Sequence, residues 1–130
     1  MPSQALQATA ESGLCLRAGS LGITRCIMHP KPPSRIGKVT HRQYIDGSPM
    51  SYRVVDEIVH VPRSNRGKAI YLQLLRFDDD GRTEMRLCYY MIGHRGRTKG
   101  RWVYAQYAPM IRRKDFERII SKAREKGWVS

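Results

Sequence analysis

From Gly37 onward, apolar and polar side chains alternate with a period of two over several short runs. That is the pattern of half-buried strands. Val39 to Ile45 is a first short strand, and Asp46-Gly47 behind it is a two-residue hairpin signal. Tyr52 to Val61 puts Val55, Val59 and Val61 on one face, with Glu57 as the exception, and Pro62 ends the run. Asn65-Arg66-Gly67 predicts a turn. In Ala69 to Phe77, Ile70, Leu72 and Leu74 share one face, and Tyr71, Gln73 and Leu75 share the other. Asp78-Asp79-Asp80-Gly81 is the next turn. Thr83 to Ile92 sets Met85, Leu87, Tyr89 and Met91 against Arg86, Cys88 and Tyr90. Gly93 to Gly100 is a loop, and Arg101 to Ala108 is the last strand, with Trp102 and Tyr104 on one side and Val103, Ala105 and Tyr107 on the other. Strands in succession with tight turns predict an antiparallel meander.

The period then changes. Phe116, Ile119, Ile120 and Ala123 fall at i, i+3, i+4 and i+7, one stripe of a helix over about 113–126. Gly127 suits the left-handed residue past the helix end, and Trp128 can fold back on the last turn. The fold class is α+β: an antiparallel sheet of four to five strands with one C-terminal amphipathic helix packed on one face. The greasier face, with Ile70, Leu72, Leu74, Leu87, Tyr89 and Val103, is expected to meet the helix. The face with Tyr71, Gln73, Arg86, Tyr90, Trp102, Tyr104 and Gln106 is expected to be open.

Residues 1–36 differ from the rest. They are rich in Ala, Ser, Gly and Pro, carry Glu11 as their one acid, and end near Pro30-Lys31-Pro32-Pro33. They read as a poorly ordered arm, similar in composition to a transit peptide or to an extension upstream of a start at Met28. Residues 37–130 read as a single domain. No run reaches the length of a membrane span, and Arg17 and Arg25 break the early apolar stretch that a secretory signal would need. Cys15, Cys26 and Cys88 have no metal-site or disulfide spacing. An intracellular, cytoplasmic protein with free thiols, neither secreted nor membrane-bound, is expected.

Charge changes the picture most. The 130 residues carry 24 Lys and Arg against 11 Asp and Glu, a net of +13. Between residues 85 and 114 stand Arg86, Arg95, Arg97, Lys99, Arg101, Arg112, Arg113 and Lys114, with no acid among them. Crowded like charges repel unless a polyanion is bound, and arginine suits phosphate. The loop Gly93 to Arg101 has glycines that let a backbone come close to a ligand, and it fits no phosphate-loop spacing. Arg112, Arg113 and Lys114 sit at a helix start, where cations oppose the dipole and an incoming phosphate would relieve both. Tyr71, Tyr90, Trp102 and Tyr104 are candidates for stacking with unpaired bases.

Other chemistry is sparse. Asp78, Asp79 and Asp80 read as a solvated turn, and no metal or cofactor is indicated. His41, His60 and His94 are dispersed, and no catalytic residue is assigned. Lys114, Arg118 and Lys122 read as a solvated helix stripe.

Over about 67–127, the strands, the basic loop and the run Gln106-Tyr107-Ala108-Pro109-Met110-Ile111-Arg112-Arg113-Lys114-Asp115-Phe116, with Ile119 and Ile120, resemble the positive-cofactor-four type of single-stranded-DNA-binding coactivator. The likeness is one of layout. It implies binding of single strands on a curved sheet and a homodimer formed through the helices. This chain departs from that layout in its longer loop at 93–101, its added β sequence at 38–61 and its lack of an acidic or Ser-rich tail.

The sequence therefore predicts a nucleic-acid binder with little sequence selectivity that prefers single-stranded DNA or RNA. Its phosphate contacts would be Arg86, Arg95, Arg97, Lys99, Arg101, Arg112, Arg113 and Lys114, and Tyr71, Tyr90, Trp102 and Tyr104 would stack. The alternatives are a small phosphoesterase or nuclease using His94 or His60, and a basic protein-interaction module.

Overall fold

A computed structural model describes residues 28–130. Lys31–Ser130 forms one compact unit, and Met28, His29 and Pro30 belong to a separate one. The expectation for residues 1–27, and those for Cys15 and Cys26, lie outside the described residues. Residues 31–36, read from sequence as the end of an arm, belong to the folded unit.

The unit is a five-stranded antiparallel sheet in the order β1-β2-β3-β4-β5, followed by a C-terminal helix. The strands are β1 Val39–Gln43, β2 Pro49–His60, β3 Lys68–Phe77, β4 Thr83–Ile92 and β5 Trp102–Tyr104. The helix, α1, is Arg113–Glu125. Each strand pairs with the next, so this is the predicted meander. Gly47, at a positive φ of 88°, makes the β1–β2 turn possible. The last strand is shorter than its sequence pattern, because after Tyr104 the chain leaves the sheet to reach the helix.

A bulge between Val54 and Asp56 resets the alternation of β2. Tyr52 and Val54 point inward before it, and Glu57 pairs with Gln73 after it. The valine buried on this face is therefore Val54 and not Val55, and Glu57 is an inward carboxylate rather than a break in the pattern.

The helix covers one face as expected. Ile119 and Ala123 are fully buried against Ile58, Ile70 and Leu72, and Leu87, Tyr89, Ile111 and Trp128 pack around them. Burying Ile119 alone contributes about 1.5–3 kcal/mol. Two polar contacts fix the helix along β2. His60 Nε2 meets Asp115 Oδ1 at 2.8 Å near its start, and Lys126 Nζ meets Asp56 Oδ2 at 3.0 Å at its end. The C-terminus closes as the sequence predicts. Gly127 takes φ +79°, its N–H donates to the Arg124 carbonyl, and the Trp128 N–H donates to the Ala123 carbonyl.

The other face is not open, which corrects the sequence expectation. Tyr71 is 0% exposed, Gln73 1% and Tyr90 7%. Two aromatic clusters fill this side. Tyr52, Val54, Leu75 and Phe77 form one, and Ala69, Tyr71, Cys88 and Tyr90 with Val61 and Trp102 form the other. Residues 31–36 are tied to the same face. Tyr71 donates its hydroxyl proton to the Pro33 carbonyl at 2.6 Å, and the Arg35 N–H donates to both Glu57 oxygens at 3.2 and 3.1 Å.

Candidate nucleic-acid interface

In a meander, alternate loops lie at the same end of the sheet. The β1–β2 turn and the β3–β4 turn share one end. It carries Asp46, Asp78, Asp79, Asp80 and Glu84, and Arg82 is held among Asp79, Asp80, Glu84 and Tyr44. The β2–β3 and β4–β5 loops share the opposite end, where the Ile92 N–H donates to the Gly67 carbonyl at 2.9 Å. The entry to α1 is at that end too, because Lys68 Nζ donates to the Met110 carbonyl at 2.7 Å. The unit is thus polarised along its strands.

The β4–β5 loop is built and not slack. Residues Gly96–Thr98 form a single 3-10 turn, the Gly93 N–H donates to the Arg101 carbonyl, and Thr98 Oγ1 donates to the Arg95 carbonyl at 3.1 Å. The Gly100 N–H returns to the Gly93 carbonyl at 3.0 Å. A Cβ on Gly93 would lie 2.4 Å from the Thr98 carbonyl oxygen, so only glycine fits where the loop folds over itself. The result presents Arg95, Arg97, Lys99 and Arg101 outward, all exposed.

Arg112, Arg113 and Lys114 are likewise exposed at the start of α1, and no side chain caps it. Asp115 partly offsets these cations within the first turn. Among the described residues, Arg95, Arg97, Lys99, Arg101, Arg112, Arg113 and Lys114 make no ion pair. The fold adds Arg63 and Arg66, exposed on the β2–β3 loop at the same end. Sequence reading passed over them because they lie far along the chain from the acid-free window. The alternate-loop rule of a meander would have found them.

The remaining predicted residues divide differently. Arg86 is half-buried and engaged. Its Nε and Nη2 donate to Gln73 Oε1 at 3.0 and 2.7 Å, and its Nη1 donates to the Tyr52 hydroxyl at 2.7 Å. Gln73 Nε2 in turn reaches Glu57 Oε1 at 3.5 Å. Arg86 is thus the centre of a buried polar network and not a surface cation. Tyr71 and Tyr90 are buried with their ring centroids 4.9 Å apart, and burial pushes both phenols above their ordinary pKa. Neither offers an exposed ring for stacking. Trp102 is half-buried against the same cluster, while Tyr104 remains 42% exposed, edge-on to Tyr90 at 5.4 Å. Tyr107, 81% exposed, follows on the way to the helix.

His60 faces Asp115 as a clasp for the helix, His41 meets Ser51 Oγ at 2.8 Å, and His94 is exposed in the basic loop. Among the described residues no cluster of His, Cys, Asp and Glu could hold a metal ion, and no helix is long and apolar enough to cross a membrane. Comparison with protein families, with curated proteins and with solved structures finds no match to this chain.

Proposed function

We propose that this protein binds nucleic acid through the basic end of its sheet. The observation that carries the reading is the convergence of two loops and a helix start whose cations have no carboxylate partner. Arg95, Arg97, Lys99, Arg101, Arg112, Arg113 and Lys114 are the phosphate contacts, joined by Arg63 and Arg66. Such a surface binds backbone and carries little sequence information. The preference for single strands now rests on Tyr104 and Tyr107, exposed rings that follow Arg101 along the chain, because Tyr71 and Tyr90 are covered. Base stacking on exposed rings is worth about 1–3 kcal/mol per base.

A salt titration of binding to a labelled single-stranded oligonucleotide and to a duplex tests this. The logarithm of affinity should fall linearly with the logarithm of salt, with a slope of about 0.7 per phosphate neutralised on a single strand. The triple change Arg95→Ala, Arg97→Ala, Lys99→Ala should lower that slope by roughly 2 and weaken all sequences alike. A flat salt dependence, or a triple variant that binds as tightly as the parent, overturns the assignment. Cleavage of the oligonucleotide during the incubation would favour a phosphoesterase.

A further inference from the structure

The outer side of β1 is one open edge of the sheet, and the first half of β4 is part of the other. β5 pairs with β4 only at Tyr90, Met91 and Ile92, and the Ala105 N–H adds one bond to the Tyr89 carbonyl. Before that, from Thr83 to Cys88, β4 has β3 on one side and no strand on the other. The ladder shows which groups are left over. The Tyr89 carbonyl and the Gly93 N–H point toward β5, whereas the Ile92 N–H points to the β3 side. Odd-numbered residues of β4 therefore aim their backbone outward, and the N–H and C=O of Met85 and Leu87 find no backbone partner among the described residues. Natural edges are blunted by charged side chains, proline or a bulge. Thr83 to Cys88 has no proline and no bulge, its two charges, Glu84 and Arg86, are of opposite sign, and Met85 on it is 45% exposed.

We propose that this edge pairs with the same edge of a second copy, antiparallel about a two-fold axis at Met85. In this register Met85 faces the partner's Met85 and Leu87 faces the partner's Thr83. Those are hydrogen-bonded pairs, each exchanging both N–H···O bonds. Glu84 then stands opposite the partner's Arg86, and Arg86 opposite the partner's Glu84, on the face away from the helix. The neighbouring registers are disfavoured by charge. Moving the axis to Arg86 opposes two arginines, and moving it to Glu84 opposes two carboxylates. The length fits as well. The paired stretch runs from Thr83 to Leu87, bounded by the β3–β4 turn before it and by the Ala105 contact at Tyr89 after it. In the single chain Arg86 has only the neutral partners Gln73 and Tyr52, while Glu84 meets Arg82 Nε at 2.8 Å, an exposed pair that the partner's Arg86 would join. This pairing does not depend on nucleic-acid binding and does not use the helices.

Sedimentation over a range of protein concentrations tests it on the full chain. The parent should be a dimer at the upper concentrations. Met85→Pro should be monomeric there and should melt as the parent does at concentrations where the parent is itself monomeric, because the N–H it removes is not used within the sheet. Glu84→Lys should raise the dimer dissociation constant about tenfold, since both cross-strand pairs become repulsive. Amide hydrogen exchange at Met85 and Leu87 should slow as the protein concentration rises. A parent that stays monomeric throughout, a dimer that survives Met85→Pro, or exchange at those amides that ignores concentration each overturns the proposal. Should Met85→Pro fail to fold, Glu84→Lys and the exchange measurement decide.

Discussion

Arg86→Met separates two roles for one arginine. The acid-free window of the sequence makes Arg86 a phosphate contact, whereas the structure makes it the hub of a network on the covered face. Methionine keeps much of the stem's volume and removes all the donors. The Gln73 carbonyl oxygen, on a side chain 1% exposed, would keep only the weak Cys88 Sγ contact at 3.6 Å, and the Tyr52 hydroxyl would lose its donor. Leaving a buried acceptor unmet costs about 1–3 kcal/mol, and hydrogen bonds from a charged donor are worth about 1.5–3 kcal/mol each. Two of the three bonds share one acceptor, so a net loss of about 3 kcal/mol is expected. In a unit of this size that lowers the melting temperature by roughly 10–20 °C. Thermal melts by circular dichroism, beside a salt titration of oligonucleotide binding below the melt, read both roles at once. The structural role predicts a large melting shift with an unchanged salt slope. An unchanged melting temperature together with a slope reduced by about 0.7 would refute it and restore Arg86 to the binding surface.

Two further outcomes follow from the same geometry. Gly93→Ala forces a Cβ against the Thr98 carbonyl and should cost about 1–3 kcal/mol, with weakened oligonucleotide binding because the basic loop must shift; a variant with parental stability and affinity would show that the loop closes differently. Burial raises the Cys88 thiol above its ordinary 9.0, and burial also raises the Tyr71 and Tyr90 phenols above their ordinary 10.0. The unfolded chain gives up those protons first, so stability is held in full below the ordinary thiol value and falls as the pH rises through it and beyond the tyrosine value. Urea midpoints at neutral and strongly alkaline pH measure this, and a midpoint that does not move would contradict the burial of these groups.

The elements were largely legible from the chain. Alternation in Thr83–Ile92 gives β4 to the residue, and the stripe Phe116, Ile119, Ile120, Ala123 gives α1 to within one residue at its end. Local periodicity carries that information because it reflects which side of an element is buried. It does not say what buries it. Tyr71, Gln73 and Tyr90 alternate with a greasier row and read as the wetter side, yet they are buried deeply. Here the cover includes residues 31–36, whose prolines give no periodic signal at all. The bulge at Val54 and Asp56 was equally silent, and it makes Glu57 an inward group. The basic loop was legible as a charged segment, whereas its company of Arg63 and Arg66 is a property of strand order and not of sequence proximity.

The separation of acidic and basic turns to opposite ends of the strands has a kinetic consequence. Arg42, Arg76 and Arg82 offset most of the acids at one end, so a polyanion would be drawn to the basic end and a torque would act before any contact is made. In the proposed binding the protein would arrive already turned with its two basic loops forward, and fewer encounters would be spent in wrong orientations. Added salt shortens the reach of that torque to about 10 Å at 0.1 M. Capture would therefore slow with ionic strength even where the final contacts were left intact.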